Sequence, residues 1–261
     1  MLHLYINLNR SKDRRKLIES DLSRFNISIN RITAVDGEQL SESFINKIKP
    51  SQYSIQKAWF PYQLIANEYA CFLSHKKCWD ELIKSNHKYA LILEDDIKLT
   101  PNAEKFIINS NWIPENINLI SLCAPLTPKQ FRVKNHSIDL EAEFNSKIFE
   151  IISPSITSAA AYIISRDAAT VALSLSEKIS APVDEYLFSP KSPLREKIPI
   201  FKLYPGIGFQ RGSVSTITTL PRNGRKPFLS RLHPVALLCK IKLLTQEMLY
   251  RRKIDFYTPK S

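Results

Sequence analysis

Four cysteines, Cys71, Cys78, Cys123 and Cys239, are all the sequence has, with no Cys-x-x-Cys pair among them and no histidines at zinc-finger spacing. Neither a disulfide scaffold nor a structural zinc framework follows from that pattern, so the thiols read as core residues of a reduced, cytosolic chain. No apolar run approaches the ~18 to 20 residues that span a bilayer, so any membrane contact is expected to be peripheral. Met1 to Asn7 lacks the basic and long apolar regions of a signal peptide and runs straight into the charged stretch Arg10 to Arg15. Also missing are the G-x-x-x-x-G-K-[ST], G-x-S-x-G and H-E-x-x-H motifs. Gly206, Gly208 and Gly212 are spaced GxGxxxG, follow Tyr204-Pro205 and open no convincing helix, which rules out a dinucleotide cofactor on that loop. There are no internal repeats and no low-complexity tract.

What remains is a chain of 261 residues, 44% hydrophobic, long enough to bury a full core as one domain or one domain with an appendage. Its net charge of +12 is uneven, because Pro221 to Ser261 holds ten Lys/Arg and two acids and so carries +8 of it. The basic character is a C-terminal property and points to an anionic partner there.

Leu2 to Leu8 reads as a strand, Ser11 as the N-cap of a helix with Leu17, Ile18, Leu22 and Phe25 on one side, and Ile27 to Val35 as a second strand closed by Asp36-Gly37. Leu40 to Pro61 is a polar connection with some helix. Gln63 to Ser85 is a long helix with Leu64, Cys71, Cys78 and Leu82 near one face. Tyr89 to Leu93 is a continuous apolar run of the kind that forms a strand buried on both faces. Ile117 to Cys123 and Ala159 to Ser165 repeat that pattern, the latter leading into a helix from Asp167 to about Glu177. Strands alternating with helices make the fold class α/β. After Gly212 the composition shifts to Pro, Arg and Lys, and a helical segment with Leu237, Ile241, Leu244 and Met248 on one face runs from Pro234 to about Arg252.

The apolar run ends in Glu94-Asp95-Asp96. Three adjacent carboxylates where a buried strand leaves its sheet repel one another, and a divalent cation relieves that repulsion. Hard ions such as Mn2+ and Mg2+ prefer oxygen ligands and are often held by one or two carboxylates plus a substrate diphosphate. A solvated acidic loop would look the same in isolation, so the neighbouring blocks carry the weight.

Those blocks, in order, are Ile6-Asn7-Leu8-Asn9-Arg10 with Arg14, Ala34-Val35-Asp36-Gly37, Glu68-Tyr69-Ala70-Cys71-Phe72-Leu73-Ser74-His75, and Leu91 to Ile97. With Ala161 to Ser165, Pro182-Val183-Asp184, and Gln210 with Ser213 to Ile217, the ordered set resembles glycosyltransferase family 25 over roughly residues 1 to 220. Where the family has glycines around the glutamate of its GE-x-GC-x-x-SH block this chain has Asn67 and Ala70, and Ser158-Ala159 stands where Gly-Thr is common. These departures concern the donor pocket rather than the fold.

The resemblance implies a GT-A type fold, a Rossmann-like, mainly parallel sheet with flanking helices over residues 1–220, followed by a basic helical C-terminal appendage over 221–261. It also implies a UDP-sugar donor, usually UDP-galactose, and inversion at the anomeric carbon, as in a β-1,4-galactosyltransferase; UDP-glucose and UDP-N-acetylhexosamine are the alternative donors. On this reading Asp96 and Glu94 hold Mn2+ or Mg2+, with Glu94 and Asp95 bonding donor hydroxyls or sharing the metal. Asn7, Leu8, Arg10 and Asp36 meet the uridine and ribose, Ser74 and His75 line the donor site, and Gln210 and Ser213 reach the diphosphate or metal side. Asp184 is the candidate base, with Glu185 as fallback, although an aspartate there also suits a helix N-cap.

The acceptor implied is a lipooligosaccharide glycan, in a bacterial cytoplasm at the inner membrane's cytoplasmic face, with the basic segment meeting anionic lipid or covering the protein's own core. Two rivals share parts of the pattern: a basic nucleic-acid-binding protein, for which no motif is present so that no nucleic acid is expected, and a metal-dependent nucleotidyltransferase or phosphatase.

Overall fold

The computed structural model describes residues 1–51, 59–60, 62–125, 127–211, 241, 245 and 252–256. Strand β1 (Leu2–Asn7) is buried from His3 onward, and helix α1 (Lys12–Leu22) follows it, turning Ile18 and Leu22 inward at i, i+4 spacing. Strand β2 (Asn30–Thr33) then pairs parallel to β1. This is the βαβ opening expected from the sequence. Ser11 sits at the helix start without a side-chain capping bond; its carbonyl instead accepts from Asn7 Nδ2 at 3.1 Å.

Helix α2 (Glu42–Ile48) falls in the polar connection, capped by Ser41 Oγ, which accepts from the Phe44 amide. The long helix α3 (Ala66–Lys84) leads into β3 (Tyr89–Glu94), which pairs parallel to β1 on the side away from β2. Short β4 (Ile97–Leu99) and α4 (Glu104–Ile107) come next. They are followed by β5 (Leu119–Ser121), the long antiparallel pair β6 (Lys129–Asp139) and β7 (Lys147–Ser153), and β8 (Ala161–Ser165). Helices α5 (Arg166–Leu175) and α6 (Val183–Phe188), then β9 (Phe201–Tyr204), β10 (Gly208–Gln210) and β11 (Lys253–Phe256), complete the order.

The main sheet runs β11-β6-β7-β9-β5-β8-β3-β1-β2. Strands β1, β2, β3, β5, β6 and β9 point one way and β7, β8 and β11 the other, so the sheet is mixed with most strands codirectional. With helices packed against it, this is the GT-A type α/β organisation the resemblance implied. The carboxyl ends of β1, β3 and β5 share one edge, and the separate β4–β10 pair lies just beyond it.

Two cores explain why the β3 run is apolar throughout. Ala90 and Ile92 pack in one with Phe72, Trp79 and Leu82 of α3 and Ala168, Ala169 and Ala172 of α5. Tyr89, Leu91 and Leu93 pack in the other with Ile18 and Leu22 of α1 and Phe106 and Ile107 of α4. Each such fully buried aliphatic side chain stabilises the fold by about 1.5–3 kcal/mol relative to exposure.

One expectation is corrected. Residues 221–261 were expected to form a helical appendage, yet Lys253–Phe256 is a strand paired antiparallel to Lys129–Arg132 of β6, so the main sheet extends past residue 220. The reason is packing: Phe256 is buried with its ring 4.9 Å from Tyr204, 5.1 Å from Phe131 and 5.7 Å from Phe149. Ile241 and Thr245 are helical, with Thr245 Oγ1 donating to the Ile241 carbonyl at 3.1 Å; the rest of the expected helix lies outside the described residues.

Candidate active site

Parallel register sets the first contact. Ile6 stands opposite Glu94, so Asn7, one residue on, leaves β1 beside the triplet. Asn7 is 1% exposed, and its Nδ2 donates to Asp95 Oδ2 at 2.7 Å. Arg31, from β2, holds Asn7 in turn: its guanidinium donates to Asn7 Oδ1 at 3.1 Å, to the Asn7 carbonyl at 3.3 Å and to Asn9 Oδ1 at 2.8 Å. Arg14, from α1, donates to Asp95 Oδ1 at 3.3 Å. Both oxygens of Asp95 are therefore engaged within the protein. Burial raises its carboxyl, and Asn7 and Arg14 oppose that shift.

Asp96 is different. Among the described residues its buried Oδ1 has no hydrogen-bond partner, and its Oδ2 accepts a long 3.5 Å bond from Gln210 Nε2. Burial first, then the Glu94 charge, pushes its carboxyl up to about 7. Gln210 arrives by strand pairing, since β10 lies antiparallel on β4 with Gln210 opposite Ile97 and the Arg211 amide donating to the Asp96 carbonyl at 2.7 Å. The glycines of that loop serve this approach: a Cβ on Gly206 would lie 2.5 Å from the Ala124 amide nitrogen.

Glu94 is held from below. His75 Nε2 lies 3.1 Å from Glu94 Oε1, His75 Nδ1 lies 2.9 Å from the Tyr162 hydroxyl, and Trp79 Nε1 donates to that hydroxyl at 2.9 Å. An indole N–H only donates and a carboxylate only accepts. The chain is satisfied when Trp79 donates to Tyr162, Tyr162 to His75 Nδ1, and His75 Nε2–H to Glu94. The imidazole is 0% exposed and stacks on Tyr162 with 5.6 Å between ring centres. His75 thus reaches a substrate through Glu94, with both ring nitrogens already occupied.

Ser74 serves the loop after β2: its hydroxyl donates to the Ala70 carbonyl and accepts from the Val35 amide, each at 2.8 Å. Asp36 caps the following turn by accepting from the Glu38 amide at 3.1 Å and pairs with Arg10, which also meets Glu38 at 3.2 Å. Leu8 and Arg10 lie on the open loop after β1, half-buried and exposed respectively. Gly37 lets this loop touch α3, because a Cβ there would fall 2.8 Å from Asn67 Cα.

Asp184 lies in the first turn of α6 with Glu185 beside it, and Pro182 rather than Asp184 takes the N-cap position. Burial raises the Cys71 thiol, and so do the charges of Glu94, Asp184, Asp96 and Glu68 in that order, so these carboxylates lie within electrostatic range of it. Burial lowers the Lys129 ammonium, while Glu185 and Asp184 pull it the other way, so a cation faces the α6 acids. The structure thus brings together Asn7, Glu94, Asp95, Asp96, His75 and Gln210, with Asp184 within electrostatic reach; Ser74, Asp36 and Arg10 shape the adjoining loop. Ser213 lies outside the described residues.

Arg31, Cys71, Trp79, Tyr162 and Lys129 carry parts of this site to which the sequence alone assigned no role. Cys71 and Tyr162 stood inside the family-like blocks, which was the available signal; Arg31 and Lys129 had none. Lys202 of β9 was also missed. It is fully buried, donates to the Cys123 carbonyl and, at 3.4 Å, to Ser121 Oγ, and burial pushes its ammonium down to about 8.

A family model described as glycosyltransferase family 25 (LPS biosynthesis protein) matches residues 1–187. The chain is 30% identical over 156 residues to lipooligosaccharide biosynthesis protein lex-1 of Haemophilus influenzae, covering 56% of this chain and 50% of that protein. It is 28% identical over 151 residues to the lacto-N-neotetraose biosynthesis glycosyltransferase LgtB of Neisseria gonorrhoeae, covering 56% and 53%. The chain spans about half the length of these curated relatives. Among solved structures, the crystal structure of a glycosyltransferase involved in the glycosylation of the major capsid of PBCV-1 superposes with a TM-score of 0.42 at 9% identity, over 82% of this chain and 93% of that one.

Proposed function

The chain belongs to glycosyltransferase family 25, and on that premise we propose that it moves a hexose from a UDP-sugar to a saccharide of bacterial lipooligosaccharide or lipopolysaccharide, inverting the anomeric carbon. Galactose in a β-1,4 linkage is the first choice of product. The names of the relatives, which speak of lipooligosaccharide and lacto-N-neotetraose biosynthesis, support the acceptor class.

The observation that carries this reading is Asp96, a half-buried aspartate two residues past the carboxyl end of β3, whose buried Oδ1 has no hydrogen-bond partner among the described residues. Asp96 and Glu94 offer carboxylate oxygens, and Gln210, whose carboxamide reaches Asp96 Oδ2 at 3.5 Å, a side-chain carbonyl, the hard donors that Mn2+ or Mg2+ prefers. Asp95 contributes less, because Asn7 and Arg14 already hold it. A cation bound there supplies charge neutralisation for the departing UDP.

The chain's own residues divide the remaining work. Asn7, fixed by Arg31, sets Asp95 at the end of β1 where a nucleotide crosses the strand ends. Glu94, steered by His75, orients donor hydroxyls. Asp184 accepts the proton of the attacking acceptor hydroxyl, with the Lys129 ammonium within electrostatic range of it. Glu185 is the second choice for that proton. The basic segment beyond Pro221 is proposed to hold the protein on the anionic cytoplasmic face of the inner membrane, where a lipid-linked acceptor is presented. Among the described residues no helix is long and apolar enough to cross a membrane.

The direct test is a UDP-release screen over UDP-galactose, UDP-glucose and the UDP-N-acetylhexosamines, with and without Mn2+. UDP release from one donor, dependent on added cation, is the expected result; silence with every donor in both conditions would refute the enzymatic reading.

A further inference from the structure

Cys71, His75 and Glu94 offer a thiol sulfur, a ring nitrogen and a carboxylate oxygen that all lie within 4.8 Å of one another. Cys71 and His75 are four residues apart on α3 and so share one helix face, while Glu94 comes from the end of β3. We propose that these three residues form a second cation site, selective for a thiophilic divalent ion of the Zn2+ class. It shares Glu94 with the oxygen-ligand set at Asp96 and inhibits transfer when occupied. The binding claim stands on this geometry alone; the inhibition rests on the proposed function.

Ligand chemistry sets the selectivity. Thiolate, imidazole and carboxylate are the three donors zinc accepts, whereas Mg2+ avoids sulfur and takes oxygen. Three protein ligands leave a fourth tetrahedral position for water or a substrate oxygen. Behind the site stands the support that metal-bound histidines need, because the Tyr162 hydroxyl lies 2.9 Å from His75 Nδ1 and is itself held by Trp79. When Nε2 binds a cation, the ring proton resides on Nδ1 and the Tyr162 oxygen accepts it. The Cys71 thiol proton is released to solvent as the sulfur binds. Entry is from the donor side: His75 is sealed, but the Glu94 side chain keeps 20% of its surface open and Cys71 is half-buried. An ion held here takes Glu94 away from donor hydroxyls, which is the basis of the inhibition.

Titrating the full-length chain with Co2+ as a spectroscopic stand-in reads the site without any sugar donor. The expected result is a near-ultraviolet thiolate-to-cobalt band saturating at one cobalt per chain and displaced by Zn2+. It should vanish in Cys71→Ser and persist in Cys78→Ser and Cys123→Ser. Tyr162→Phe should keep the band with affinity weakened about 10- to 100-fold. A missing band, or one that survives in Cys71→Ser, overturns the proposal. Should Cys71→Ser fail to fold, His75→Gln decides the same question: loss of the band supports the site and an unchanged band overturns it. In turnover assays, Zn2+ should inhibit wild type at least about tenfold more strongly than Cys71→Ser, each taken against its own zinc-free rate. Equal sensitivity overturns the inhibitory consequence, and a chain with no turnover at all leaves the cobalt band to decide the site.

Discussion

At the scale of the residue, Asp96 concentrates the chemistry in one atom. Its folded-state pKa of about 7 stands above the ordinary 3.8 because burial and Glu94 disfavour its charge. The folded chain therefore holds this proton more tightly than the unfolded chain does. Without a cation, stability is highest below about pH 4 as far as this group is concerned, and it declines as pH rises toward 7. Asp96→Asn removes that penalty. Cation-free at pH 8, the variant should melt above wild type, by about 2–4 °C for each kcal/mol relieved, and Mn2+ should no longer raise its melting temperature as it does for wild type. Its cation-dependent UDP release should disappear. A wild-type melting response to Mn2+ in Asp96→Asn would remove Asp96 from the cation set. Asp184→Asn separates binding from chemistry: transfer should fall by at least about 100-fold, within the range for loss of a general base, while UDP affinity measured by calorimetry stays within about twofold. Retained transfer would move the base to Glu185.

At the scale of the element, α3 and β3 act as one unit, tied through Trp79, Tyr162, His75 and Glu94. Tyr162→Phe strands a buried indole N–H and a ring nitrogen, a loss of about 1–3 kcal/mol that denaturant unfolding should show as a lower midpoint at unchanged slope. If only the surface of the site depended on Tyr162, stability would not move. The same unit shows why some elements were legible in the sequence. Tyr89 to Leu93 is apolar without interruption because both sheet faces are covered, and Ile18 with Leu22 repeats at helical spacing. Short β4 and β10 give no periodic signal in three residues each. The β6–β7 pair is long, but its register shifts break the alternation. In the site, Glu94 to Asp96 stood out because acids end an apolar run. Arg31 and Tyr162 did not, since their meaning lies in partners 24 and 87 residues away.

At the scale of the whole molecule, the basic segment contributes a strand to the main sheet. Strand β11 (Lys253–Phe256), which lies within the basic segment beyond Pro221, pairs with β6, so the main sheet takes up part of that segment. Phe256 is the anchor, 1% exposed, and Lys202 lies beneath it with its ammonium 5.8 Å from the Phe256 ring centre. Phe256→Ala should cost about 3–5 kcal/mol, the usual range for a buried aromatic, and calorimetry should record it as a lower melting temperature. The segment's charge determines how the membrane proposal behaves. Electrostatic attachment weakens with salt as the Debye length shrinks from about 10 Å at 0.1 M to about 3 Å at 1 M. Wild type should therefore co-sediment with vesicles containing phosphatidylglycerol at 0.1 M salt, release at 1 M, and ignore vesicles of phosphatidylcholine alone. Replacing Arg222, Arg225, Lys226 and Arg231 with glutamine removes four of the ten cations; at about 1 kcal/mol each near an anionic surface, their loss should lower vesicle affinity by two orders of magnitude or more while leaving UDP binding in place. Vesicle binding that persists in this variant and is indifferent to salt would show that apolar contact, not the basic segment, holds the protein to lipid.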